Sequence, residues 1–211
     1  MPSRRASVRE IEIKLRVTDP VRLLRALLRL GAHTRGRVFE QNTLYDTPDA
    51  GLRRRGWLLR LRTETPAPSR LIPGGRRSAA ITSKMPPPVA SASRYKERLE
   101  REWPIAHPRR WPRLLRSLGF RPSFRYEKYR SRFRLPGLEL DLDETPIGVF
   151  LELEGAPAKI DRVTCSLGYA PRDYLRATYG DLWAAHARRR GHSPRDMLFP
   201  RKNFAKTSLF A

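Results

Sequence analysis

The sequence predicts an α+β fold: about eight short antiparallel strands closed into a barrel, with charged side chains inside and amphipathic helices packed outside. Three observations lead there. Strand-like segments recur along the chain and alternate apolar with charged residues at period two. Their charged faces carry one sign or a repeated pattern, such as Glu-x-Glu, Arg-x-Arg, Lys-x-Arg-x-Arg and Asp-x-Asp. The helices between them need an apolar surface to cover. When they take the apolar face of the sheet, the charged faces converge, and a closed sheet of about eight strands encloses them. An antiparallel sheet with one wet face is the plainer alternative.

The elements follow in order. Residues 10–16 set Glu10, Glu12, Lys14 and Arg16 on one side of a strand and Ile11, Ile13 and Leu15 on the other. Asp19-Pro20 opens a helix with a stripe of Val21, Leu24, Leu27, Leu28 and Leu30, and Gly31 stops it. Residues 37–46 read as a strand before the turn Thr47-Pro48-Asp49. Residues 58–62 form a strand with Arg60 and Arg62 on one face, and residues 64–78, rich in Pro, Ser and Gly, form a loop. Residues 79–84 carry Thr82 and Lys84 on one strand face, before a proline-rich loop at 85–93.

The second half repeats the pattern. Residues 95–105 align Lys96, Arg98, Glu100 and Glu102. Residues 108–119 form a short helix carrying Trp111, Leu114, Leu115 and Leu118. Residues 124–135 set Lys128, Arg130, Arg132 and Arg134 on one face and Tyr129, Phe133 and Leu135 on the other. Residues 138–143 and 149–154 alternate again, the latter placing Glu152 with Glu154. Residues 159–190 read as largely helical, broken near 168–171. The organisation expected is one domain over residues 1–190 and a basic C-terminal tail over 191–211, with Met197-Leu198-Phe199 as a packing anchor.

Composition bounds the function. The chain has 211 residues, 44 Lys and Arg against 21 Asp and Glu, and a net charge of +23. Such a balance favours polyanions: nucleic acid, polyphosphate, nucleotides or an anionic membrane surface. One cysteine, Cys165, excludes an internal disulfide framework, and a buried structural thiol is expected there. The start lacks an apolar signal region and no apolar run reaches membrane-spanning length, so a soluble cytoplasmic protein is expected.

Carboxylates and guanidinium groups sharing one interior are costly unless a ligand completes them. A polyphosphate with a divalent metal does so: Arg and Lys take phosphate oxygens, and carboxylates take a hard cation. Glu10-x-Glu12-x-Lys14 resembles the ExExK signature of the CYTH family, the triphosphate tunnel metalloenzymes. Further segments resemble that family in order: residues 41–49 with Tyr45, Asp46 and Thr47; Arg60-x-Arg62; Lys84; Arg98-x-Glu100-x-Glu102; Lys128-x-Arg130; Asp143; Gly148-x-Phe150-x-Glu152-x-Glu154; and Tyr179. Two departures stand out: Lys84 runs into Met-Pro-Pro-Pro, and the late basic residue has only Arg176 as a candidate.

The resemblance implies an eight-stranded tunnel binding triphosphates with Mg²⁺ or Mn²⁺. Glu10, Glu12, Asp143, Glu152 and Glu154 would hold metal, and Lys14, Arg60, Arg62, Lys84, Lys128 and Arg130 would bind substrate, with Arg132 as a further candidate. Glu100 and Glu102 would hold a second metal or pair with the bases. Lys14, Glu12, Arg60 and Arg62 would carry catalysis. Family members include inorganic and thiamine triphosphatases, class IV adenylate cyclases and some RNA triphosphatases. A metal-dependent triphosphatase is therefore expected, with an adenylate cyclase as the alternative.

A non-catalytic RNA- or polyphosphate-binding protein is the rival from another class, because residues 124–134 interleave aromatics with bases. The acids separate the two, since Glu10, Glu12, Glu152 and Glu154 repel phosphate unless metal intervenes. Gly74-Gly75 lacks phosphate-loop spacing, and the four histidines lack ligand spacing.

Overall fold

Among the described residues the alternating segments become eight strands: β1 (Val8–Val17), β2 (His33–Asp46), β3 (Leu58–Pro66), β4 (Ser78–Met85), β5 (Lys96–Pro104), β6 (Arg121–Leu135), β7 (Leu138–Thr145) and β8 (Gly148–Gly155). In the computed structural model, which describes residues 7–88, 93–191 and 195–200, they pair antiparallel and close in the order β1-β5-β4-β3-β2-β6-β7-β8. Helices α1 (Pro20–Arg29), α2 (Gly51–Arg54), α3 (Trp111–Ser117), α4 (Pro157–Ser166) and α5 (Tyr179–Arg189) pack outside. None of the described helices is long and apolar enough to cross a membrane.

The main apolar core lies outside the barrel wall. Odd-numbered Ile13 and Leu15 of β1, Phe133 of β6, and Leu151 and Leu153 of β8 join Leu140 and Leu142 of β7 under α1 and α4. Burying each such side chain contributes roughly 1.5–3 kcal/mol. With the outer face dry, the charged face has only the interior left.

Helix α1 starts at Asp19, whose carboxylate accepts from the Arg22 N–H at 2.9 Å, and Pro20 occupies its first turn. It buries Leu23, Leu24 and Leu27. Val21, Leu28 and Leu30, expected in the stripe, are exposed, because the buried face centres between Leu23 and Leu27. In α3 only Leu115 is buried; Leu114 and Leu118 face water one step round the helix. Cys165 is exposed rather than buried, because α4 turns Ile160 and Thr164 inward and Cys165 sits a hundred degrees off that face.

Three further boundaries differ from expectation. Strand β3 runs to Pro66, into the segment read as loop, because Glu64 continues the inward series of Arg60 and Arg62. The rest of that loop folds back on β2: Arg37 N–H donates to Pro73 O at 2.8 Å and Gly75 N–H to Arg37 O at 2.8 Å. Gly36 permits this, with φ +93° and Gly75 Cα only 2.7 Å from where a side chain would begin. The helical stretch 159–190 is broken more widely than expected: α4 ends at Ser166, and α5 begins at Tyr179 behind a capping box between Thr178 and Asp181. Of the C-terminal residues, Met197 and Phe199 are buried as anchors and Leu198 is exposed; the rest of the expected tail, 192–194 and 201–211, lies outside the described residues.

Candidate active site

Side chains from all eight strands line one internal cavity of about 930 Å³, mostly even-numbered, with odd-numbered Glu139 and Asp141 from β7. Glu10, Glu12, Lys14, Arg60, Arg62, Lys84, Lys128, Arg130, Glu152 and Glu154 all face it, as do Glu100, Glu102 and Arg132. Asp143 does not line it. That carboxylate points inward but is fully buried beneath the lining side chains, accepting from Lys128 Nζ at 2.7 Å, Arg130 Nε at 2.8 Å and the Tyr179 hydroxyl at 2.7 Å. Arg176 is exposed and borders a separate cavity of about 530 Å³.

On the β6–β8 side, cations enclose the acids. Glu152 accepts from both Lys14 and Arg130, and Arg130 also reaches Asp141 at 2.7 Å. Burial opposes ionisation of Glu152, yet Lys14, Lys128 and Arg130 hold it well below the usual carboxylate range. Glu40 behaves likewise: burial is overcome by Arg130, Lys128 and Arg62, and its proton affinity falls far below normal. Asp141 is the exception, lifted to about 6 by burial, with Asp143 and Glu152 adding to it against Arg130.

On the β1–β5 side, acids crowd. Lys84 Nζ reaches Glu10 at 2.6 Å and Glu100 at 2.6 Å, and Lys96 reaches Glu12 at 2.5 Å. Burial would raise Glu12, but Lys96, Lys84 and Lys14 bring it down to about 2. Glu10 is raised by burial and by Glu12 and Glu100, even with Lys84 beside it. Glu154 opens onto the lumen and, among the described residues, its carboxylate has no hydrogen bond or ion pair. Burial, then Glu10, Glu12 and Glu100, push it to about 8 against Lys84.

Between the two sides lie the arginines. Arg62 pairs with Glu102 at 2.7 Å and Glu64 at 3.2 Å, and Arg132 pairs with Glu64 at 2.5 Å. Arg60 has weaker partners, Thr82 Oγ1 at 3.2 Å and the Tyr126 hydroxyl at 3.4 Å. Its Nε is buried with no acceptor among the described residues. A buried donor without an acceptor is costly, and a phosphate oxygen in the lumen would supply one.

The sequence profile of the CYTH domain matches residues 8–164. The chain belongs to the CYTH family. Its barrel resembles a Vibrio parahaemolyticus protein named as a candidate adenylate cyclase: TM-score 0.67, 19% identity, 81% of this chain and 94% of that one covered. It also resembles the PH1819 protein of Pyrococcus horikoshii: TM-score 0.68, 21% identity, 84% and 99% covered. A Hippeastrum protein named as a candidate adenylyl cyclase with a dominant triphosphatase activity aligns at TM-score 0.55 and 19% identity, with 87% and 97% covered. No curated protein matches the sequence.

CYTH enzymes bind triphosphates and depend on metal, so the donor set of this CYTH chain can be tested for fit. The acids of the β1–β5 side are carboxylate oxygens, the type a hard divalent cation takes. Glu12 and Glu154 stand opposite each other across β1 and β8. Among the described residues no three acids converge as they stand, because Glu10, Glu12 and Glu152 are turned to lysines. Glu154, unpaired and lifted by its acidic neighbours, marks where positive charge is lacking. The residues therefore fit a divalent ion on this side of the lumen.

Sequence reasoning missed Glu64 and Asp141, which line this CYTH lumen, and Glu40, fully buried beneath its bases. Period two carried one residue further along β3 finds Glu64, and parity along β2 and β7 finds Glu40 and Asp141.

Proposed function

We propose that the protein is a divalent-metal-dependent phosphohydrolase of triphosphates, inorganic or organic, such as thiamine triphosphate or a nucleotide. The observation that carries this reading is the pairing, inside one closed lumen, of under-coordinated arginine donors with a set of crowded carboxylates. Among the described residues Arg60 Nε and the Glu154 carboxylate are left without a protein partner, and a metal–triphosphate complex would complete both.

Glu10, Glu12, Glu152 and Glu154 would hold a divalent ion, Mg²⁺ or Mn²⁺, which would supply charge neutralisation and polarisation of phosphate oxygens. The chain's own groups do the rest. Arg60, Arg62, Lys84 and Arg130 bind the phosphate oxygens and stabilise the charge that grows on the transferred group. Lys14 and Lys128 hold the chain of phosphates from the opposite wall. Lys14, released from Glu152, donates a hydrogen bond that orients the attacking water, whose proton passes to a phosphate oxygen. The water oxygen bonds to phosphorus, the bridging P–O bond breaks, and the electron pair leaves with the remaining phosphates. Asp143 acts from beneath the lining side chains as counter-ion to Lys128 and Arg130.

A second reading, cyclisation of ATP to cyclic AMP, is favoured by one apolar stretch of the lining, Leu44, Leu58, Phe124 and Tyr126, which suits a nucleoside. An RNA-binding module is disfavoured, because the acids share the same enclosed lumen as the bases. Phosphate release from tripolyphosphate, ATP and thiamine triphosphate, with Mg²⁺, Mn²⁺ or EDTA and with cyclic AMP assayed in parallel, tests the proposal. Metal-dependent phosphate release lost in Glu12→Gln supports it. Cyclic AMP as the product favours the second reading, and metal-independent RNA binding without turnover overturns both.

A further inference from the structure

The match to the CYTH profile ends at residue 164, yet Thr178, Tyr179 and Gly180 beyond it line the lumen. Two strand edges are left open there. Strand β1 pairs with β5 only through Glu12, so the edge at Lys14 has no strand beside it. Strand β6 pairs with β7 only from Tyr129 onward, so residues 125–127 project past it. Later segments fill both gaps. Lys14 and Leu175 exchange backbone hydrogen bonds at 3.2 and 2.8 Å. Met197 N–H donates to Arg125 O at 2.9 Å, and Glu127 N–H donates to Met197 O at 3.0 Å. Asp196 secures the second bridge by accepting from the Arg125 N–H at 2.8 Å.

The chain is thus pinned at Leu175 and again at Met197, and Tyr179, four residues after the first bridge, is the side chain delivered to the lumen. The Tyr179 ring stands 4.5 Å from Lys14 Nζ and 4.9 Å from Lys128 Nζ. Its hydroxyl donates to Asp143 at 2.7 Å, the carboxylate that also holds Lys128 and Arg130. Behind it, Met197 is fully buried in one cluster with Tyr179, Tyr126 and Phe150. The two lysines come from different strands; Tyr179 packs its ring against both, and Glu152 pairs with both.

We infer that Tyr179 is a positioning residue for the triphosphate site, and that the segment around Met197 is the support that holds it there. The ring fixes the separation of Lys14 and Lys128 by cation–π contact, and the hydroxyl fixes the orientation of Asp143 and thereby of Lys128 and Arg130. This rests on the triphosphate reading above.

The test is tripolyphosphate affinity by calorimetry together with KM, kcat and melting temperature, in Tyr179→Phe, Tyr179→Leu, Met197→Ser and Met197→Leu. Loss of one charge-assisted hydrogen bond predicts affinity about tenfold weaker in Tyr179→Phe, read as a raised KM with a smaller change in kcat. Tyr179→Leu, which also loses the ring, falls further. Met197→Ser follows Tyr179→Phe, and Met197→Leu restores wild-type affinity. Affinity within twofold of wild type in folded Tyr179→Phe and Tyr179→Leu overturns the inference, as does a lowered melting temperature with KM unchanged. Where Met197→Ser does not fold, the two Tyr179 variants decide. A wild-type protein that neither binds nor hydrolyses tripolyphosphate removes the triphosphate reading, and this inference with it.

Discussion

The two sides of the lumen hold the same kinds of side chain and treat them oppositely. Around β6–β8, Glu40 and Glu152 are held far below the normal carboxylate range by Lys14, Lys128, Arg130 and Arg62. Around β1–β5, Glu10 is raised and Glu154 stands near 8, because burial and neighbouring acids outweigh Lys84. Position, not composition, makes the difference. One side dominates as a cation and suits phosphate; the other dominates as an anion and suits metal.

The largest effect expected from breaking this comparison is on folding. Arg130→Leu removes the principal partner of Asp143, Asp141 and Glu152 at once. Leaving buried acids uncompensated costs roughly 3–5 kcal/mol, so denaturant unfolding of this variant should shift by that much. On the acid side, Glu12→Gln loses the ion pair with Lys96 and some stability with it, but its larger signature should be in the folded protein: metal-dependent turnover lower by about a hundredfold, roughly 2.7 kcal/mol in the barrier. A stable Arg130→Leu protein, or an active Glu12→Gln one, would break the contrast.

The outer wall provides the control. Leu27→Ala deletes a fully buried side chain from the core beneath α1 and should cost about 2–5 kcal/mol in denaturant unfolding while leaving the lumen's ligand affinities unchanged. A smaller effect sharpens the acid side. Glu154 has its folded proton affinity raised above that of the unfolded chain, so the folded metal-free protein binds the extra proton and loses stability as pH rises from about 5 to 8. Melting temperatures across that window should fall more steeply in the wild type than in Glu154→Gln.

The smallest effect is at the surface. Burial tends to raise Asp161, but hydrogen bonds from Tyr95, Tyr174 and Arg94 lower it. Its contribution is present above the unfolded value near 3.8 and is lost as pH falls through the folded one. Asp161→Asn should cost under about 1 kcal/mol at neutral pH, since solvent screens the site, and the gap from wild type should close in acid.

How far the sequence reveals this contrast depends on the range of the interaction. Which side chains face the lumen is a local property of period two, so Glu10, Glu12, Lys14, Arg60, Arg62 and Glu152 are legible one strand at a time. Glu64 is hidden only because prolines and glycines follow it. Which partner each charge meets depends on the stagger of the closed sheet, and no single strand records that. Asp143 shows this: its parity points inward, but Lys128, Arg130 and Tyr179 close over it. The pinning of the chain is least legible of all, because Leu175 and Met197 make single bridges to strands far away in sequence, with no alternation to announce them.

The polarised lumen is tested most directly by measuring two affinities in two variants: Mn²⁺ alone and tripolyphosphate alone, by calorimetry, for Glu154→Gln and Arg60→Leu. Glu154→Gln should weaken Mn²⁺ and leave metal-free tripolyphosphate binding intact or stronger, and Arg60→Leu should do the reverse. Equal losses of both ligands in both variants would contradict a lumen divided into a metal side and a phosphate side.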